Sequence, residues 1–309
     1  MSTYRNLKIL DYVWHIPYLY ELSKLGAKFF VFDRFRKWDW SKRPLPPNAI
    51  LIDDYKEFMP YDLVILHLDQ LQLYNPPEEF KLFSQLPYPK VCIFHGDTQI
   101  EEKKELLKKL TKDMFVIFNS RRAYENFKIE NSKFILHGFS PEEWLQTTYK
   151  IDDCVLNLTS TIVEHSGFIS DLSDFYGKDI YDYVKKEIKI ERFKAPDFSK
   201  YRLLLSQYSI YFNPTRFSPN PRARAEAMLS GLCVVTTGFV GEEEFIEDGK
   251  TGFIVNNKKK MVDLIKELLH NKELVVKIGK KARKVASKLL HINNFLEKWK
   301  KIIKIVLNY

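Results

Sequence analysis

Residues 216–231 read RFSPNPRARAEAMLSG, a turn rich in proline followed by a short run of small residues that carries one carboxylate, Glu226. Asn220 is a good N-cap, Pro221 suits the first helical position, and Gly231 suits the position just past the end, so the spacing predicts a helix over 221–230. Ala225, Met228 and Leu229 repeat with helical period and form the core stripe. Beside it, Ala223, Glu226, Ala227 and Ser230 form a face of small residues with one acid. Small side chains let a ligand approach the helix, and a carboxylate can accept from two adjacent hydroxyls, such as those of a ribose. The helix start offers free N–H groups and a positive dipole end, which suit a phosphate. Arg222 and Arg224 in the first turn oppose that dipole unless an anion is bound nearby. The competing reading is an i, i+4 ion pair between Arg222 and Glu226 with both arginines solvated.

The elements that position this stretch alternate short apolar runs with helical ones. Strands are expected at 8–14, 27–33, 49–54, 61–68, 90–97, 114–120 and 133–139, with helices at 16–26 and 101–110. The pattern restarts with strands at 153–160, 209–214 and 232–237, helices at 179–187 and 201–207, and a helix, turn and strand within 242–255; two long helices close the chain. Strands apolar throughout and spaced by helices imply parallel sheets covered on both faces. The fold class expected is therefore α/β, with two Rossmann-like doubly wound domains facing a cleft, and ligands held beyond the carboxyl ends of the strands.

The chain has 309 residues, 45% hydrophobic and 29% charged, with aromatics at 15%, so large cores rich in Phe and Tyr are expected. Its net charge of +9 is uneven: residues 256–309 carry +11 and the remainder −2. A nucleic-acid partner is therefore not expected. Cys92, Cys154 and Cys233 sit singly in apolar runs and read as buried free thiols of a reducing compartment. No leader pattern opens the chain and no apolar run approaches the 18 residues or so of a membrane span, so a cytoplasmic location is expected. No two aspartates stand one residue apart, so the Asp-x-Asp of a metal-dependent sugar transferase is missing and no metal is expected. There is likewise no G-x-S-x-G, Walker loop or G-x-G-x-x-G.

Residues 209–255 as a whole, SIYFNPTRFSPNPRARAEAMLSGLCVVTTGFVGEEEFIEDGKTGFIV, resemble the carboxyl-terminal signature of group 1 (family 4-like) glycosyltransferases of the GT-B fold. The matching elements are Pro214-Thr215, Glu226-Ala227-Met228, Gly231, Val234-Val235, Gly241 with Glu244, and Asp248-Gly249-Lys250-Thr251-Gly252. More weakly, YDLVILHLD and KVCIFHGD look like the family's paired strands ending in His. The resemblance implies an acceptor-side domain over 1–147, a donor nucleotide-sugar domain over 148–290, and a last helix at 291–309 packed back on the first domain. It implies that Glu226 accepts from the ribose of a nucleotide-sugar donor, that the loop 216–222 meets sugar and diphosphate, and that His95 is catalytic, facing the transferred sugar. Trp14 and His15 would line the acceptor side. The family's second Glu, eight residues upstream, is Ser218 here, and its diphosphate-binding Gly-Arg and Lys are replaced by LTSTIVEHSG at 158–167. Ser160 and Thr161 then offer hydroxyls, and Arg216, Arg222 and Arg224, with Asn220 at the helix start, would supply the rest. Only about 40 residues separate LTSTIVEHSG from SIYFNP, so a strand–helix unit is expected to be missing there.

The activity implied is transfer of a sugar from a nucleotide-diphosphate sugar to an acceptor, without metal or other cofactor and with retention at the anomeric carbon. The alternative is a non-catalytic GT-B-like protein that binds nucleotide-sugar or glycan. In HINNFLEKWKKIIKIVLNY, Phe295, Trp299, Ile302, Ile303 and Val306 form an apolar stripe ringed by Lys298, Lys300, Lys301 and Lys304. The stripe fits packing on the first domain, and the lysines fit peripheral contact with an anionic membrane.

Overall fold

A computed structural model of the chain describes residues 4–150, 153–159, 176–216, 222–238 and 245–308. The chain divides into two compact units, Met1–Phe139 with Ile292–Tyr309, and Ser140–His291.

The first unit is built on seven parallel strands: β1 (Lys8–Tyr12), β2 (Lys28–Phe32), β3 (Ala49–Ile52), β4 (Leu63–Leu68), β5 (Lys90–Phe94), β6 (Phe115–Phe118) and β7 (Ser132–Phe134). They lie in the order β3-β2-β1-β4-β5-β6-β7, so the strand order reverses between β1 and β4. Such a reversal opens a crevice at the carboxyl ends, where ligands of doubly wound sheets sit. Alternation along each strand feeds two cores. Ile9, Phe29, Val31, Ile65 and Ile93 face α1 (Ile16–Ser23). Leu10, Phe30, Val64, Leu66 and Phe94 face the other way, toward Phe80 and Phe83 of α2 (Glu78–Phe83), Leu107 of α3 (Glu101–Leu110) and Phe127 of α4 (Arg121–Phe127).

The second unit has five parallel strands: β8 (Cys154–Leu156), β9 (Lys189–Glu191), β10 (Ile210–Asn213), β11 (Cys233–Thr236) and β12 (Phe253–Ile254), in the order β12-β11-β10-β8-β9. Its helices are α5 (Lys178–Lys185), α6 (Phe198–Leu205), α7 (Arg222–Leu229), α8 (Lys258–His270) and α9 (Lys272–Leu289). The interval expected to lack a strand–helix unit contains α5, β9 and α6. β9 escapes notice because it is three residues long, polar at Lys189 and Glu191, and lies at the sheet edge.

The chain closes with three helices rather than two, α8, α9 and α10 (Ile292–Val306). Asn271 alone separates the first pair: its side chain accepts the N–H of Leu274 and starts a new helix. α10 belongs to the first unit. Its Phe295, Trp299, Ile302 and Ile303 are buried in the same core as Tyr18, Leu19 and Leu22 of α1, and the Trp299 indole donates to the Tyr18 hydroxyl at 3.1 Å. The apolar stripe of the last helix is thus spent on the fold. The three cysteines are buried and form no disulfide. Among the described residues no helix is long and apolar enough to cross a membrane.

Candidate functional site

In the second unit the helix foreseen around Glu226 is α7, and Gly231 ends it. At φ +80° it takes the left-handed turn, its N–H bonding to the carbonyl of Met228 at 2.9 Å, while Leu232 bonds back to Ala227 at 2.9 Å. Arg283 of α9 donates to the freed carbonyl of Leu229 and, at 3.0 Å, to that of Trp144, placing a cation at the negative end of the helix. The small residues serve packing as well as any ligand. Ala227 and Ser230 are wholly buried, and Gly279 of α9 lies so close that a Cβ there would come within 2.1 Å of the Gly231 carbonyl.

Glu226 is buried, yet its carboxylate is held rather than stranded. The Tyr201 hydroxyl of α6 donates to Oε2 at 2.7 Å, and Arg222 Nε stands 3.8 Å from Oε1. The i, i+4 ion pair is therefore present, at a distance too long for a hydrogen bond. Tyr201 was not legible in the sequence, since nothing in FSKYRLLL marks one tyrosine as facing an acid 25 positions on. Its ring lies 5.6 Å from Phe193 and 6.4 Å from buried Trp144.

The other arginines depart from the expected cluster. Arg224 is 1% exposed, with its guanidinium 5.5 Å over the Phe245 ring. The third residue of the first turn faces the protein interior, so Arg224 is not the solvated cation anticipated there. Arg216 makes a bidentate pair with Asp179 of α5, at 2.6 and 2.8 Å, and that bond holds the Asp179 carboxyl below its usual range. A phosphate would have to compete with this partner. Ser160, Thr161, Ser218 and Asn220 lie outside the described residues. At the carboxyl end of β8, Asn157 donates to the Phe212 carbonyl at 2.9 Å and accepts from Arg192 at 2.8 Å. Burial pushes the Tyr211 phenol of β10 up to about 12.

In the first unit His95 follows β5, half-buried, in a chain of polar groups that crosses the β1/β4 reversal. Asp11 Oδ1 lies 3.0 Å from His67 Nε2, His67 Nδ1 lies 3.0 Å from His95 Nε2, and His95 Nδ1 lies 2.9 Å from the Asn119 amide nitrogen. A carboxylate only accepts, so with neutral rings one proton order fits. Asn119 donates to His95, His95 Nε2–H to His67, and His67 Nε2–H to Asp11. Both ring nitrogens of His95 are thus engaged within the protein. Around it, Trp14 lies 5.5 Å from His67 with the rings nearly parallel and 4.7 Å from His95, while His15 stacks on His95 at 5.0 Å and sits 6.0 Å from His137. His15 also caps α1, its Nδ1 accepting the N–H of Tyr18 at 3.2 Å. The three first-unit residues picked from sequence are therefore brought together. Asp11, His67, Asn119 and His137 were missed, although an acid inside KILDY and a histidine inside LVILHL are odd residues for buried strands. Among the described residues no three His, Cys, Asp or Glu are grouped so as to hold a metal ion.

Residues 189–285, which include β9, α6, Glu226 and most of α9, match the family described as Glycosyl transferases group 1. That match covers less than half of the chain, and the fold is that of GT-B glycosyltransferase structures. The fold follows from solved structures such as HepE of Anabaena in complex with UDP, which is similar at a TM-score of 0.68 and 15% identity, with 97% of this chain and 100% of that one covered. Two curated relatives match locally. The Spore coat protein SA of Bacillus subtilis is 37% identical over 71 residues, or 22% of this chain and 19% of that protein. The Poly(ribitol-phosphate) alpha-N-acetylglucosaminyltransferase of Staphylococcus aureus is 30% identical over 98 residues, or 31% and 20%. The chain thus spans about a fifth of the length of these relatives. Glu226 and Tyr201 both lie within the matched segment.

Proposed function

We propose that the protein is a glycosyltransferase that moves a sugar from a nucleotide-diphosphate sugar to an acceptor glycan, lipid or protein. The observation that carries this reading is the Glu226 carboxylate, buried on a helix of small residues inside the segment that matches group 1 and held by Tyr201. A carboxylate so fixed can take the two hydroxyls of a ribose without first having to be ordered. The HepE structure, which holds UDP, agrees with a uridine nucleotide as the donor's leaving group. Catalysis would consist of stabilising negative charge on the departing diphosphate, with Arg222 and the start of α7 nearest to Glu226 and no metal required. Arg216 would join after exchanging Asp179 for phosphate. In the first unit, His95 and the rings of Trp14 and His15 would meet the transferred sugar and the acceptor, and family resemblance favours retention of anomeric configuration. Peripheral contact of the basic last helices with anionic lipid would be mainly electrostatic, since Phe295, Trp299, Ile302 and Ile303 are buried.

One observation favours the second reading, a GT-B-like protein that binds its nucleotide-sugar without turnover. Arg216 is paired and Arg224 is buried, which takes cations from the leaving group. Titration with UDP-, GDP-, ADP- and TDP-sugars, run beside a donor-hydrolysis assay, separates the two. Binding with nucleotide release supports the transferase, binding without release in the presence of varied acceptors supports the binding protein, and absence of binding to every donor refutes both.

A further inference from the structure

We propose that the loop 33–42, which leaves the carboxyl end of β2, is a contact element for an anionic membrane surface, with Phe35 and Trp40 as its interfacial anchors. The loop is built to present them. Both carboxylate oxygens of Asp33 are used, accepting the N–H groups of Lys37 at 2.5 Å and Trp38 at 3.1 Å, while its carbonyl takes the N–H of Arg36 at 3.0 Å. Arg36 turns the chain in the left-handed region at φ 51°. Trp38 is buried and roots the loop in the core. Phe35 and Trp40 are left 57% and 58% exposed, the two most exposed large apolar residues described, together with Tyr74 at 57%. A single exposed apolar residue needs no explanation, but two aromatic rings held outward on one short loop do.

The surroundings of the rings identify the partner. The Arg34 guanidinium and the Lys37 ammonium lie 6.0 and 4.9 Å from the centre of the Phe35 ring. Lys37 is balanced by Glu79 at 2.9 Å and Lys42 by Asp39 at 3.7 Å. Arg34 and Arg36 are exposed and have no carboxylate partner among the described residues. Exposed aromatic rings on a loop that also carries two uncompensated arginines fit the headgroup layer of an anionic bilayer, where rings sit at the polar boundary and arginines meet lipid phosphate. On the same end of the sheet, in the segment after β4, Tyr74 is exposed with Lys103 5.7 Å from its ring. By contrast, α10 has spent most of its apolar stripe in the core and exposes lysines with one large apolar residue, Ile305. The loop begins beside the end of β1, where Val13 bonds to the Phe32 carbonyl at 3.1 Å, so a bilayer docked on it would bring headgroups to the Trp14–His15 corner. This inference does not depend on the identity of the donor.

The test is co-sedimentation of the full chain with phosphatidylcholine vesicles, with and without phosphatidylglycerol, at low and high salt. Binding is expected only to the anionic vesicles and is expected to weaken with salt. Each cation near an anionic surface contributes about fivefold to partitioning, so R34E/R36E and F35S/W40S should each lower binding by about tenfold or more. Reversing Lys298 and Lys301 on α10 should cost less. The emission of Trp40 should shift to the blue on anionic vesicles and the shift should vanish in W40F. Both loop variants change exposed side chains, and an unaltered melting temperature confirms that they fold. The proposal is overturned if the loop variants bind as the parent does, or if the α10 variant loses binding while they do not. It is also overturned if soluble polyphosphate produces the same Trp40 shift, which would make the partner a soluble polyanion.

Discussion

Replacing Tyr201 by Phe removes one hydroxyl and leaves the ring among Phe193 and Trp144, so it isolates the bond to Glu226. That bond is 2.7 Å long and its acceptor is a buried carboxylate. A hydrogen bond to a charged group contributes about 1.5–3 kcal/mol net. Arg222 Nε, already 3.8 Å from the other oxygen, can recover part of the loss, which places the expected destabilisation near 2 kcal/mol. For a unit of this size about 1 kcal/mol moves the midpoint by about 2–4 °C, so calorimetry should show the second unit melting about 4–8 °C lower. The freed carboxylate can then rotate, and the dissociation constant of UDP should rise by about threefold to tenfold, about 0.7–1.4 kcal/mol. A melting temperature within about a degree of the parent would refute the claim that Tyr201 holds the acid. Tighter binding of UDP would refute it differently, by showing that the hydroxyl competes with the ligand for Glu226.

Three further outcomes follow from the packing and the charges. Gly279→Ala puts a Cβ 2.1 Å from the Gly231 carbonyl and should force α9 off α7, costing about 1–3 kcal/mol by denaturant unfolding. Trp299→Ala empties a wholly buried site between α10 and α1 and should cost about 3–5 kcal/mol, detectable by calorimetry as a lower melting temperature of the first unit. Arg216→Ala removes the bond that lowers the Asp179 carboxyl, so the native state loses a contribution that is present above the unfolded carboxylate range and disappears as pH falls through the lower folded value. Asp179 is half exposed, so the effect should stay below about 1 kcal/mol at neutral pH and the two proteins should converge in acid unfolding once the pH has fallen through the lowered range of the folded carboxyl.

Much of the fold was legible because the strands are apolar runs of ordinary length, which only a parallel sheet buried on both faces can accommodate. What escaped was short or marked by one polar residue: β9, whose three residues lie at a sheet edge, and the helix break at Asn271. In the candidate site, Glu226 stood out as an acid among alanines, and Gly231 as a stop. The partner of that acid did not, because Tyr201 reaches Glu226 through packing of α6 on α7, and sequence spacing does not encode it. The arginines misled for the same reason. From sequence, the first turn of α7 looked exposed, whereas the structure buries Arg224 and ties Arg216 to Asp179. In the first unit, His95 was found by its place at a strand end, but the chain from Asp11 through His67 to Asn119 joins four different strands or strand ends and appears only once their order is known.

The central claim, that Glu226 receives the ribose of a nucleotide-sugar, is tested most directly by isothermal titration of UDP into the parent and Glu226→Ala proteins, with Glu226→Gln as the isosteric control. Loss of charged hydrogen bonds predicts an affinity at least about tenfold weaker in Glu226→Ala, with an intermediate value for Glu226→Gln. Equal affinity in all three folded proteins would contradict it.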